Sequence, residues 1–122
     1  IMNDDGTFTA KGTFIGAKFD HRPAEEFILA QNKKMQERLF FVLELLEDKG
    51  NCLLEPFSKP LQDGIYEVRA QQGNNTSRVL YFFVKGHKII LTNGFLKKTQ
   101  KTPQQEIEKA KLYRNDYYRR EK

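Results

Sequence analysis

The sequence predicts a single α+β domain, and three observations carry that expectation. Apolar residues recur at helical spacing from Pro23 to Lys49, at strand spacing from Gly64 to Asn93, and again at helical spacing after Pro103. A chain of 122 residues suffices for one domain with a real core. The predicted order is an N-terminal strand, a helix or helical hairpin, a three-stranded antiparallel meander and a C-terminal helix, packed as layers.

Residues 1–12 are polar and glycine-containing, and the tripeptide Gly-Thr-Phe occurs twice, too short a unit to be a repeat. They are set apart as a partly disordered leader, with the folded domain expected at residues 13–122. Thr13 to Phe19 alternates in part through Phe14, Ile15, Ala17 and Phe19, and reads as a first strand. Pro23 suits a first helical turn, and Glu25 and Glu26 favour the positive end of a helix dipole. Phe27, Ile28, Met35, Leu39, Val42, Leu43 and Leu46 then mark one amphipathic helix, or two hinged near Asn32, ending at Gly50.

From Gly64 the period becomes two. Ile65–Gln71, Ser77–Lys85 and Lys88–Asn93 read as strands, with turn chemistry in Gly73-Asn74-Asn75 and Lys85-Gly86-His87. Connections this short make neighbouring strands antiparallel. Arg78 to Val84 is apolar on both faces beyond Arg78 itself, so that strand is expected at the centre. Thr102-Pro103-Gln104-Gln105 is a capping box that starts the last helix, whose buried stripe is Ile107, Ala110, Tyr113 and Tyr117.

Charge is unevenly spread about a formal net of +5. Residues 1–49 hold 7 basic and 9 acidic side chains, a net of −2; residues 50–102 hold 8 and 3, a net of +5; residues 103–122 hold 6 and 4, a net of +2. Such a gradient suits a polyanion-binding face on a neutral-to-acidic scaffold, or simply an uneven surface. The longest apolar run, Leu39 to Leu46, is interrupted by Glu44 and is far too short to span a bilayer. Cys52 is a lone cysteine without an internal disulfide partner, and no signal-peptide pattern opens the chain, so the cytoplasm is expected.

The usual catalytic signatures are missing. Two histidines, His21 and His87, and one cysteine make a common zinc site improbable, and no phosphate-binding glycine loop or nucleophile elbow occurs. A concentration of cations remains on the predicted sheet: Lys59, Arg69, Arg78, Lys97, Lys98 and Lys101. Alternation places Tyr66, Val68 and Ala70 on a core face, and Glu67, Arg69 and Gln71 on the face toward solvent or a cleft. Arg78 lies on an otherwise apolar strand, where an unpaired charge is costly. It either pairs with Glu67 across the ladder or grips a phosphate.

The segments Lys59-Pro60-Leu61-Gln62-Asp63-Gly64-Ile65-Tyr66-Glu67-Val68-Arg69 and Ser77-Arg78-Val79-Leu80-Tyr81-Phe82-Phe83 resemble the RelE/HigB superfamily of type II toxins. Leu91-Thr92-Asn93-Gly94-Phe95-Leu96-Lys97-Lys98-Thr99-Gln100-Lys101-Thr102-Pro103 is similar to its phage-related, HigB-like branch, and the resemblance extends from about Pro23 to Arg120. It implies a RelE-like fold and a toxin that cuts mRNA in the ribosomal A site without metal or cofactor. It also implies neutralisation by a helix-turn-helix, HigA-like antitoxin, while the short apolar runs noted above lead to the expectation of no membrane partner. The implied chemistry is in-line attack of a ribose 2′-OH on the adjacent phosphate, leaving a 2′,3′-cyclic phosphate and a 5′-OH.

That reaction requires a proton acceptor, cations for the phosphorane and a proton donor for the leaving oxygen. Arg69 and Arg78 match the family's strand cations and are assigned to the phosphate, because arginine stays protonated. Lys98 matches the basic residue after the last strand, as acid or second clamp, while Lys59, Lys97 and Lys101 are assigned to the RNA backbone. Two departures stand out. Glu67 occupies a position where some relatives carry lysine, and the tyrosine or histidine that several relatives place after the last strand is missing. Glu67 is left either as general base or as structural partner of the arginines. A ParE-like binder that inhibits a partner such as gyrase without cutting RNA, and an inactive phage remnant, are the competing readings.

Overall fold

The change of period at Gly64 is realised as the centre of a mixed sheet. The computed structural model describes residues 7–10, 13–16, 23–84, 88–97 and 101–120. Its elements are β1 (Thr7–Ala10), β2 (Thr13–Gly16), α1 (Pro23–Leu29), α2 (Lys33–Lys49), β3 (Ser58–Pro60), β4 (Tyr66–Gln72), β5 (Asn75–Val84), β6 (Lys88–Lys97) and α3 (Gln104–Arg120). The strands form one six-stranded sheet in the order β1-β2-β6-β5-β4-β3. All neighbours are antiparallel except β2 and β6, whose parallel pairing spans the intervening helices and meander.

The helical stretch breaks where the sequence offered a hinge. Asn32 adopts an extended backbone and its side-chain oxygen accepts from the Met35 amide at 2.8 Å, capping α2. Gly50, at φ 55°, ends that helix and returns its N–H to the Leu46 carbonyl. Met35, Leu39, Val42, Leu43 and Leu46 are buried, as their spacing predicts, and meet Val68 and Ala70 of β4. The opposite face of the sheet receives α3, where Phe82 meets the ring of Tyr117 at 5.7 Å. With helices on both sides, Val79 to Phe82 are at most 1 % exposed, which bears out the central placing of β5.

Three features depart from the sequence expectation. β3 is a three-residue edge strand ending in proline, too short to carry a period of its own. β6 runs on from Asn93 to Lys97 through a register irregularity opposite Val79–Tyr81, so the bulge disguises the second half of the strand. Within the leader, Thr7–Ala10 pairs with β2 as an additional strand. The first strand, expected to reach Phe19, is described to Gly16, and its remainder lies outside the described residues.

Candidate functional site

The register of the β4–β5 hairpin creates the site's central electrostatic problem. Arg69 and Arg78 are direct cross-strand partners, so their guanidinium groups emerge on the same face. Like charges directly opposite repel. Glu67, two residues before Arg69 and on the same face, supplies the counter-charge. Its Oε2 accepts from Arg69 Nε at 3.0 Å and from Arg78 Nη1, and its Oε1 accepts from the Thr102 hydroxyl at 2.5 Å. Glu67 is 0 % exposed, which corrects the expectation that it faces solvent or a cleft. Alternation assigned its face correctly, but the arginines and the approach to α3 cover that face. Thr102, expected to cap α3, turns its hydroxyl proton to Glu67, while the helix does start where the capping box placed it.

Arg78 is buried, with a side chain 9 % exposed, and its Nε has no hydrogen-bond partner among the described residues. Burial pulls the guanidinium below the ordinary arginine range, and the Glu67 carboxylate opposes that shift. Arg69 is more open, at 22 %, and also approaches Glu55 at 3.6 Å. Lys97 lies opposite Thr76 at the end of β6. Burial holds its ammonium below the usual lysine range, and the nearby charges of Arg78, Arg69 and Lys59 act in the same direction against Glu67. Lys59, on β3, stands opposite Glu67 in the ladder. The structure thus brings Lys59, Glu67, Arg69, Arg78 and Lys97 together. Lys101 is exposed in the approach to α3, and Lys98 lies outside the described residues.

An open cleft continues from this cluster. Arg69, Arg78 and Lys97 line it together with Lys34, Arg38 and Phe41 from the outer side of α2 and Phe57 from the segment entering β3. It wraps over the edge of β4 beyond Val68, where β3 no longer pairs. Lys34 and Arg38 escaped the sequence reading. Their spacing of four puts them on one helix face, but only the packing of α2 along β4 carries that face to the arginines. Among the described residues no group of three or more His, Cys, Asp or Glu side chains could hold a metal ion, and no helix is long and apolar enough to cross a membrane.

The α+β sheet of RelE-like architecture thus carries an arginine pair, braced by a buried carboxylate, at the head of a cation-lined cleft whose chemistry suits an anionic ligand. The chain belongs to the family described as phage derived protein Gp49-like (DUF891), whose profile matches residues 26–114. It is similar to the "Probable endoribonuclease HigB1" of Mycobacterium tuberculosis, in strains CDC 1551 / Oshkosh and ATCC 25618 / H37Rv. Each is 44% identical over 52 residues, covering 43% of this chain and 41% of the relative. The matched segment thus spans about two fifths of those relatives' length. The resemblance to RelE/HigB-type toxins, and to their phage-derived branch, is borne out.

Proposed function

We propose that this protein is the toxin of a type II toxin–antitoxin pair, acting in the cytoplasm as a ribosome-dependent mRNA endonuclease. The observation that carries this reading is the Arg69–Arg78 pair, held by buried Glu67 and facing a cleft whose lining holds five cationic side chains, Lys34, Arg38, Arg69, Arg78 and Lys97, against the carboxylate of Glu37. A bent RNA backbone presents its scissile phosphate to the arginines, and the adjacent 2′-oxygen attacks phosphorus as the 5′-oxygen leaves. The 2′-OH proton passes to a base, and the departing 5′-oxygen gains one. The chain's own cations neutralise the phosphorane.

Of the two roles open to Glu67, the geometry favours the positioning one, because both its oxygens are already engaged by Arg69, Arg78 and Thr102. Lys97 gives up a proton more readily than a free lysine and sits beside Arg78, which suits it to proton transfer as well as to backbone contact. Lys98 is retained as a candidate acid or clamp, and Lys59 and Lys101 as backbone contacts. A helix-turn-helix, HigA-like antitoxin encoded alongside is the expected inhibitor. Translation in vitro of a defined mRNA, followed by primer extension, tests the assignment. Cuts inside the translated frame are expected, with weak cutting of the same RNA when it is not translated. Arg78→Ala should lower the cleavage rate by roughly 10²–10³ while ribosome binding changes little. Absence of cuts, with supercoiling by gyrase inhibited instead, would favour a ParE-like binder.

A further inference from the structure

The far wall of the cleft carries a feature that phosphate chemistry does not use. Phe41 projects from the outer side of α2 and is 57% exposed. Its ring lies 6.5 Å from that of Phe57 at an interplanar angle of 70°. Phe57 is fixed relative to the arginines, because its carbonyl accepts the Arg69 amide at 2.9 Å. Arg38 and Lys34 precede Phe41 by about one and two turns on the helix, and neither enters an ion pair among the described residues. An apolar ring among unpaired cations is a poor match for an apolar protein groove. It is a good match for a nucleic acid strand, which offers a flat apolar base beside each anionic phosphate.

We propose that Phe41, supported edge-on by Phe57, is a stacking platform for one unpaired nucleobase of the RNA, with Lys34 and Arg38 holding the phosphate next to it. The inference rests on the RNA-cleaving reading and extends it, since it fixes the path of the strand: from Arg78, over the open edge of β4, to α2. Stacking on an aromatic ring is indifferent to base identity, so the platform binds single strands without selecting a sequence.

The test is equilibrium binding of the full chain to a short single-stranded RNA, 2′-O-methylated throughout to block cleavage and carrying one 2-aminopurine, in low salt. The reporter is moved stepwise along the strand. For the parent chain, one register should show strong quenching. Phe41→Leu, which keeps an apolar side chain at this exposed position, should abolish that quenching and weaken binding by roughly 5- to 150-fold, the range for one base–aromatic stack. Phe41→Trp should retain both. Arg38→Ala should weaken binding in a salt-dependent way and reduce the salt slope. Unchanged affinity and quenching with Phe41→Leu overturns the proposal, and so does failure of the parent chain to bind or quench. A Phe41→Leu chain that holds RNA normally but loses its antitoxin assigns the ring to protein contact instead, which also overturns it. Cleavage of translated mRNA is read separately, so loss of the platform and loss of the nuclease reading give different results.

Discussion

Arg78 illustrates how much one strand position can disclose and where the disclosure stops. A lone cation in the apolar run Val79–Val84 had to be paired or functional, and Glu67 was the carboxylate within diagonal reach across the ladder. Both readings survive in the structure, since the ion pair with Glu67 exists and Arg78 still lines the cleft. Thr102 could not be foreseen, because a contact spanning 35 residues has no local signature. Glu67→Gln should be costly. It leaves Arg78 buried without its counter-charge and turns an amide N–H₂ toward donors, so a loss of about 3–5 kcal/mol is expected by urea denaturation. Whatever cleavage survives should keep its acidic limb if Glu67 acts as the positioning residue proposed above. Disappearance of that limb would restore the base assignment. Lys97 provides a pH signature of opposite hand. Its folded pKa lies below that of a free lysine, so its charge is lost earlier as pH rises, and RNA affinity should fall through that transition. Lys97→Arg should move the fall to higher pH. An identical pH dependence for both chains would show that Lys97 does not contact the backbone.

At the level of elements, legibility followed the length of the pattern. The long helix, the core strands and α3 carry enough periodic residues to show themselves, and Asn32 announced the break between α1 and α2. β3 is three residues long, the β2–β6 pairing joins distant segments, and the second half of β6 is hidden by its bulge. Gly94 explains part of that disguise. It reads as a strand breaker, yet it is there because α1 comes so close. A Cβ at position 94 would stand 2.3 Å from the Phe27 ring. Gly94→Ala should therefore push α1 away from β6 and cost about 1–3 kcal/mol, as overpacking does. Urea melting of the variant measures this, and pairing it with Phe27→Leu should recover part of the loss. An unchanged midpoint in Gly94→Ala would mean that α1 is free to shift.

For the whole molecule, the charge gradient along the chain pointed to the segments that supply Arg69, Arg78 and Lys97 to the cleft but missed the contribution of the first. Residues 1–49 are net negative, yet that segment supplies Lys34 and Arg38 to the cleft, since averaging over a segment hides which helix face a charge occupies. Docking of α2 along β4 gathers cations from opposite halves of the sequence beside the braced arginines. The central claim is that this gathered charge catalyses attack by the RNA's own 2′-oxygen. It is tested most directly with a translated mRNA bearing a single 2′-deoxynucleotide immediately 5′ of a mapped cut. Cleavage at that bond should disappear while neighbouring cuts persist, and the unmodified RNA should yield a 2′,3′-cyclic phosphate and a 5′-OH. Undiminished cutting of the deoxy-substituted bond, or product ends bearing a 3′-OH and a 5′-phosphate, would contradict the account.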